Sequence, residues 1–144
     1  MAMRLGLDCS LKHGTAGTTA ATAFTDVIAV TLNLANEKAD ATTRSSGGFK
    51  QSSLTLTDAT LTIEMKRTGT PNAGYDALRA ACLAKTAIAL LALDGTAVDS
   101  QGLDADWVVE SMSRPEPLAD GVKVTFTCSL AESSRAPSWT DLAS

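Results

Sequence analysis

Val122, Val124, Phe126, Cys128 and Leu130 alternate one by one with Lys123, Thr125, Thr127 and Ser129. An extended strand points successive side chains to opposite faces, so it sorts this segment into an apolar side and a hydroxyl-rich side. The same period of two sets Ile28, Val30, Leu32 and Leu34 against Val27, Ala29, Thr31 and Asn33. It also sets Ala59, Leu61, Ile63 and Met65 against Thr60, Thr62, Glu64 and Lys66. Leu54 and Leu56 lie on the other parity, so a β-bulge is expected at Asp58-Ala59 to keep one face apolar. Leu103, Ala105, Trp107 and Val109 alternate with Asp104 and Asp106. Ala87 to Leu93 is apolar on both parities, which predicts a strand covered on both faces and ended by the Asp94-Gly95 turn. The 19 Thr among 144 residues suit such pleated, half-buried surfaces.

One helix interrupts the strands. Asn72 can cap it, Tyr75, Leu78 and Cys82 share one face, and Ala77, Ala80, Ala81 and Ala84 let it lie close to a sheet; it should stop near Lys85-Thr86. Met3 to Cys9 reads as a short strand and His13 to Thr25 as a surface loop of small residues. The expected fold is mainly β, sandwich- or barrel-like, with six or seven mostly antiparallel strands and one flanking α-helix. The length suits one domain over residues 1–144, with a long loop at about 35–51 and an extended tail at about 132–144, where Trp139 is a candidate anchor.

Several function classes find little support. Twelve Lys+Arg against 16 Asp+Glu give a formal charge of −4, which argues against gripping nucleic acid through its phosphates. The longest apolar run, Ala87 to Leu93, is too short to cross a bilayer as a helix, and Met1 to Leu5 shows no signal-peptide core; no membrane partner is expected. Cys9, Cys82 and Cys128 form no C-x-x-C pair and read as small buried thiols in a reducing compartment. His13, the single histidine, has no carboxylate nearby in sequence to orient it, so no catalytic residue and no enzyme activity are expected. Asp104, Asp106 and Glu110 read as a solvated or lumen-facing acidic face rather than a metal site, which needs about six oxygens from a folded loop. Gly47-Gly48 lacks a phosphate-loop spacing, and the basic residues Lys38, Arg44, Lys50, Lys66, Arg67 and Arg79 are spread along the chain. No metal or cofactor is called for.

What remains is a set of long strands with a polar, Thr-rich, mildly acidic second face. Long antiparallel strands leave edges that invite pairing, and closing the sheet across subunits removes the edges and creates a lumen.

Several segments, in order, resemble the tail tube (major tail) proteins of long-tailed, non-contractile phages. They are Gly14-Thr15-Ala16-Gly17-Thr18, Val30 to Leu34, Ala39 to Arg44 with Gly47-Gly48-Phe49-Lys50, and Leu61 to Met65. The helix Gly74 to Arg79, Ala89 to Gly95, Ser113 to Leu118, Val122 to Thr127 and Pro137-Ser138-Trp139 continue the series. The resemblance implies a virion structural protein that assembles with itself as homohexameric rings stacked into a tube. Four strands per copy would join a 24-stranded wall, roughly 37–50 Å across at the backbone, through which double-stranded DNA passes without sequence-specific binding. It also implies contacts with a tape measure protein and tail-end proteins, and assembly in the host cytoplasm. On this reading Thr60, Thr62, Glu64, Asp104, Asp106, Thr125 and Thr127 face the lumen, with Lys66 and Lys123 partly offset by neighbouring acids. The loop residues Glu37, Lys38, Asp40, Thr42, Thr43, Arg44, Phe49 and Lys50 would order against a neighbouring copy. A tail-terminator or secretion-system tube protein, forming single rings, is the nearest alternative. A monomeric β-sandwich binding module is another, although three Phe, two Trp and one Tyr hardly furnish the aromatic patch it needs.

Overall fold

The computed structural model describes residues 9–95, 99–119, 121–133 and 135–141. Eight strands among them form one antiparallel sheet: β1 (Ser10–Thr15), β2 (Thr22–Ala23), β3 (Val27–Asp40), β4 (Ser52–Lys66), β5 (Ala87–Leu93), β6 (Gln101–Ser113), β7 (Lys123–Leu130) and β8 (Ser138–Asp141). The order across the sheet is β2-β1-β5-β6-β7-β4-β3, and β8 pairs with the start of β6. Phe24 N–H donates to the Leu11 carbonyl at 2.9 Å, and Lys66 N–H donates to the Asp26 carbonyl at 2.8 Å. The short link between β2 and β3 thus ties the two ends of the sheet together, and the sheet curls around its core. Leu61, Ile63, Met65, Trp107, Val124, Phe126 and Cys128 fill that core, as the alternation requires.

Helix α1 (Ala73–Ala84) closes the core against β6 and β5 with Tyr75, Leu78 and Ala81. Its N-cap is the expected one: the Asn72 side chain accepts from Tyr75 N–H at 3.1 Å, and its amide donates to the Thr25 carbonyl. Lys85 ends the helix in the left-handed region (φ 59°), where its N–H meets the Ala81 carbonyl.

Four expectations change. Leu11 is buried, so the chain around His13 is strand β1 rather than loop, held by its ladder to β5. The long loop is shorter than its composition suggests, because β3 runs to Asp40 and β4 begins at Ser52. The bulge falls between the pairs Asn36–Thr57 and Lys38–Leu54, three residues before Asp58-Ala59. The tail contains β8, which puts Trp139 opposite Leu103 with its indole N–H on Gln101 Oε1 at 2.8 Å. The expected strand Met3–Cys9 lies almost wholly outside the described residues.

Candidate functional site: an open four-strand face

Directly opposed residues in an antiparallel pair share a face. The registers therefore build three rows across β3, β4, β7 and β6. They are Asn33–Thr60–Ser129–Val108, Thr31–Thr62–Thr127–Ser111 and Ala29–Glu64–Thr125–Ser113. Each residue in them is half-buried or exposed, while the opposite side of the same strands carries the core. Five of the expected lumen residues, Thr60, Thr62, Glu64, Thr125 and Thr127, thus converge on one continuous surface dominated by hydroxyls. Lys66 and Lys123 oppose each other directly at its end, two like charges side by side, with Glu64 the nearest acid along β4.

Asp104 and Asp106 do not join it. They pair with Leu91 and Ala89 of β5, where the second face of the sheet is covered by the segment between β1 and β2 and by the chain after β7. Their side chains are 7% and 2% exposed. Arg135 spans both, with Nη1 on Asp104 Oδ1 at 2.8 Å and Nη2 on Asp106 Oδ1 at 2.7 Å. Thr19 Oγ1 donates to Asp104, while Ser133 Oγ and the Gly17 N–H donate to Asp106. Burial alone raises the Asp106 carboxyl, but the hydrogen bonds from Arg135, Ser133 and Gly17 with the arginine's charge outweigh it and hold it below the ordinary carboxylate range. These aspartates are a buried clasp binding two covering segments to the sheet, not a solvated face, and a guanidinium stands where a cation was weighed. Glu110, at the β6 bulge, is exposed.

The sequence carried one signal for this clasp. Ala87 to Leu93 is apolar on both sides, so whatever pairs with it must also lie under a cover, and buried aspartates there require a cation. The partner itself, Arg135, is distant in sequence and carries no local mark.

The other set of expected residues lies on the β3–β4 hairpin. Glu37, Lys38 and Asp40 are exposed in β3, and Arg44 opens a single 3-10 turn, Arg44–Ser46. The hairpin closes within the one chain, without a neighbour: Ala41 N–H donates to the Gln51 carbonyl, Gln51 N–H to Thr42 Oγ1, and Thr42 N–H to Asp40 Oδ1. Hydrogen bonding from the Thr42 side chain, and from its backbone N–H, pulls the Asp40 carboxyl down. Thr43 pairs with Ser45 through their hydroxyls, and Phe49 and Lys50 are exposed. Leu34, Leu54, Leu56 and Phe49 are between 50% and 75% exposed, an apolar load on a projecting arm.

His13 meets no carboxylate within ion-pair distance among the described residues; it packs edge-on to Phe24 at 4.8 Å, and burial lowers its pKa. An apolar groove between β3 and β1 is lined by Leu11, Phe24, Val30, Leu32, Leu93 and Trp139, and His13 is not part of it. Cys128 is buried as expected, and burial, with smaller effects of Glu110 and Cys82, pushes its thiol up to about 12. Cys82 is half-buried, whereas Cys9 is exposed, contrary to the expectation of buried thiols. Among the described residues no helix is long and apolar enough to cross a membrane.

This fold, a curled antiparallel sheet with one helix on its core side, is shared with solved tail and virion structures. The tail of an empty gene transfer agent particle, solved with C6 symmetry, superposes with a TM-score of 0.77 at 13% identity, covering 96% of this chain and 99% of that one. The native gene transfer agent virion gives 0.73 at 12% identity over the same shares, and the SPP1 tail tube gives 0.73 at 9% identity, covering 97% of this chain and 80% of that one. No protein-family model and no curated protein sequence matches the chain.

Proposed function

We propose that this chain is a virion structural protein whose copies form six-membered rings stacked into a tail tube, with the hydroxyl rows facing the bore. The observation that carries the reading is that the bare polar face ends in two free edges. Among the described residues strand β3 is paired only to β4, and β6 loses β5 beyond Val108, so Val109–Ser113 is paired only to β7. Exposed edges of this length otherwise invite uncontrolled pairing. Strands β3, β4, β7 and β6 alternate in direction, so the β6 edge of one copy meets β3 of the next antiparallel. Six copies close 24 strands into a wall without edges. The C6 symmetry of the similar gene transfer agent tail supports six.

The bore chemistry fits a conduit for DNA. Thr31, Thr60, Thr62, Thr125, Thr127, Ser111 and Ser113 are neutral, and Glu64 repels phosphate. Every added Lys or Arg contact would instead retard a polyanion. The arm from Leu34 to Asp58 reaches neighbouring copies, where its leucines and Phe49 are covered. A tape measure protein, tail-end proteins and DNA in transit complete the partners, with assembly in the host cytoplasm.

Negative-stain microscopy of the purified protein tests this directly. Tubes of uniform width are expected. Rings that never stack would make it a terminator-like or secretion-tube ring protein, and monomers at high concentration would overturn the proposal.

A further inference from the structure

Tyr75 is buried, its ring edge-on to Phe126 at 6.0 Å, and three arginines from separate elements gather on it. The Arg67 guanidinium lies 4.0 Å over the ring, Arg79 lies 6.0 Å from it, and Arg114 Nη1 donates to Tyr75 Oη at 3.2 Å. Two of the three have a carboxylate of their own: Arg79 is 3.7 Å from Asp76, and Arg114 Nε is 3.1 Å from Glu116. Arg67 has none. Among the described residues its guanidinium meets no carboxylate within 4.0 Å and no hydrogen-bond acceptor, although the residue is half-buried.

The backbone holds Arg67 in this place, because its N–H donates to the Val122 carbonyl at 2.9 Å just beyond the Lys66–Lys123 pair. Stacking on a ring uses the flat face of a guanidinium and leaves its N–H edge, the part that grips an oxyanion with two parallel hydrogen bonds. Arg67, Thr68, Arg114, Glu116 and Val122 line an open concavity of about 370 Å³, enough for a phosphoryl group and part of a molecule bearing it. Thr68 Oγ1 accepts from Thr70 N–H at 3.3 Å, and among the described residues its own proton has no acceptor. Two guanidiniums and a hydroxyl therefore border the same space, against one carboxylate.

We propose that this concavity binds a phosphate-type oxyanion, either the inorganic ion or the phosphoryl group of a small molecule. Arg67 is its anchor, and Arg114 and Thr68 are the further donors. Donors brought from three separate positions suit a tetrahedral anion, which carries oxygens on every side, better than a planar carboxylate. Glu116 is the internal competitor: it balances Arg114 in the free chain and repels an incoming anion. The site lies within one chain and is independent of ring formation.

Calorimetric titration of the natural chain with sodium phosphate, in a mildly alkaline buffer with about 0.15 M NaCl, tests the proposal. Saturable binding with a dissociation constant below about 1 mM is expected. Arg67→Gln should weaken it at least about tenfold, since a hydrogen-bonded charge is lost. Glu116→Gln should tighten it about threefold or more, because a like charge leaves the rim. Lys66→Gln/Lys123→Gln, close by but outside the concavity, should change it less than about threefold. Adenosine monophosphate in place of phosphate separates the two sources: equal affinity assigns the free ion, and tighter binding assigns a phosphoryl group carried on an organic molecule. Circular dichroism melts check folding; if Arg67→Gln does not fold, Arg67→Lys, which keeps the charge but not the fork, should still weaken binding. No saturable binding up to about 10 mM phosphate, by calorimetry and by phosphorus NMR, would overturn the proposal. So would equal affinity in a folded Arg67 variant, or no gain in Glu116→Gln.

Discussion

Replacing Arg135 by Met isolates the buried clasp. The substitution keeps much of the aliphatic stem and removes a guanidinium that is 19% exposed and bonded to both Asp104 and Asp106. Breaking one partner of a buried ion pair costs about 3–5 kcal/mol, because the charge left behind is uncompensated. Thr19, Ser133 and the Gly17 N–H still serve the two carboxylates, so the loss belongs near the lower bound, about 3 kcal/mol. For a chain of this size that is a melting temperature roughly 6–12 °C lower.

The pH dependence gives the sharper readout. In the natural protein the Asp106 carboxyl lies below its ordinary range, so its contribution is full at neutral pH and fades as pH falls below about 4. Without Arg135, burial acts with less opposition and raises that carboxyl, so the variant should gain stability on acidification where the natural protein loses it. Urea unfolding at neutral and acidic pH should show the gap between them widest near neutrality. Asp104→Asn/Asp106→Asn/Arg135→Met, which removes all the charges, should recover more than half of the loss. A change below about 0.5 kcal/mol, or parallel pH profiles for the two proteins, would refute the argument that the clasp is a compensated buried charge cluster.

Other consequences follow from single features. A Cβ at Gly102 would stand 1.7 Å from the Ala92 carbonyl oxygen, so Gly102→Ala should cost at least about 2 kcal/mol in urea unfolding or leave the chain insoluble. Cys9 should react with iodoacetamide in the folded protein, whereas Cys128, its thiol pushed up to about 12, should be labelled only after unfolding, as mass spectrometry would show. Thr62→Arg/Thr125→Arg, at diagonal positions on neighbouring strands of the open face, should leave tubes visible in the microscope but slow DNA release from particles carrying them; unchanged release would count against the lumen assignment. Deleting 41–48 should leave the melting temperature within a few degrees, since that tip is exposed, while tube formation fails; normal tubes would show that the arm makes no essential contact.

The period of two was enough to place four strands and the apolar and polar side of each, because burial on one side writes itself directly into alternate residues, and β5 showed as an unbroken apolar run. The helix was equally plain, since Asn72 and the Tyr75–Leu78 face are local signals. Strands β1, β2 and β8 were not, for a common reason. Ser10–Thr15 has one large apolar residue, Leu11, and Ser138–Asp141 has one, Trp139; each is extended because a neighbouring strand offers it hydrogen bonds, and that offer leaves no trace in its own composition. The bulge was foreseeable in kind but not in place, since any site between Leu54 and Ala59 restores the parity.

The aspartates show what alternation cannot say. It identifies which side of a strand is polar, but not what lies over that side. On β4 and β7 the polar side is bare and reads as hydroxyls; on β6 the same side, moved to the other parity by the bulge between Val109 and Ser111, is bare at Ser111 and Ser113 but covered at Asp104 and Asp106. The difference is set by the partner strand. Where β6 runs beside β7 alone, its second face belongs to the open surface; where it runs beside β5, whose own residues are apolar on both sides, the cover over β5 extends to it. A carboxylate under such a cover must find a cation or lose its charge. The open face is therefore bounded by the point at which β5 leaves β6, near Val108, and this same point frees the β6 edge that the next copy is proposed to occupy. One feature of the topology sets both the width of the polar wall in each copy and the place where the wall can be continued.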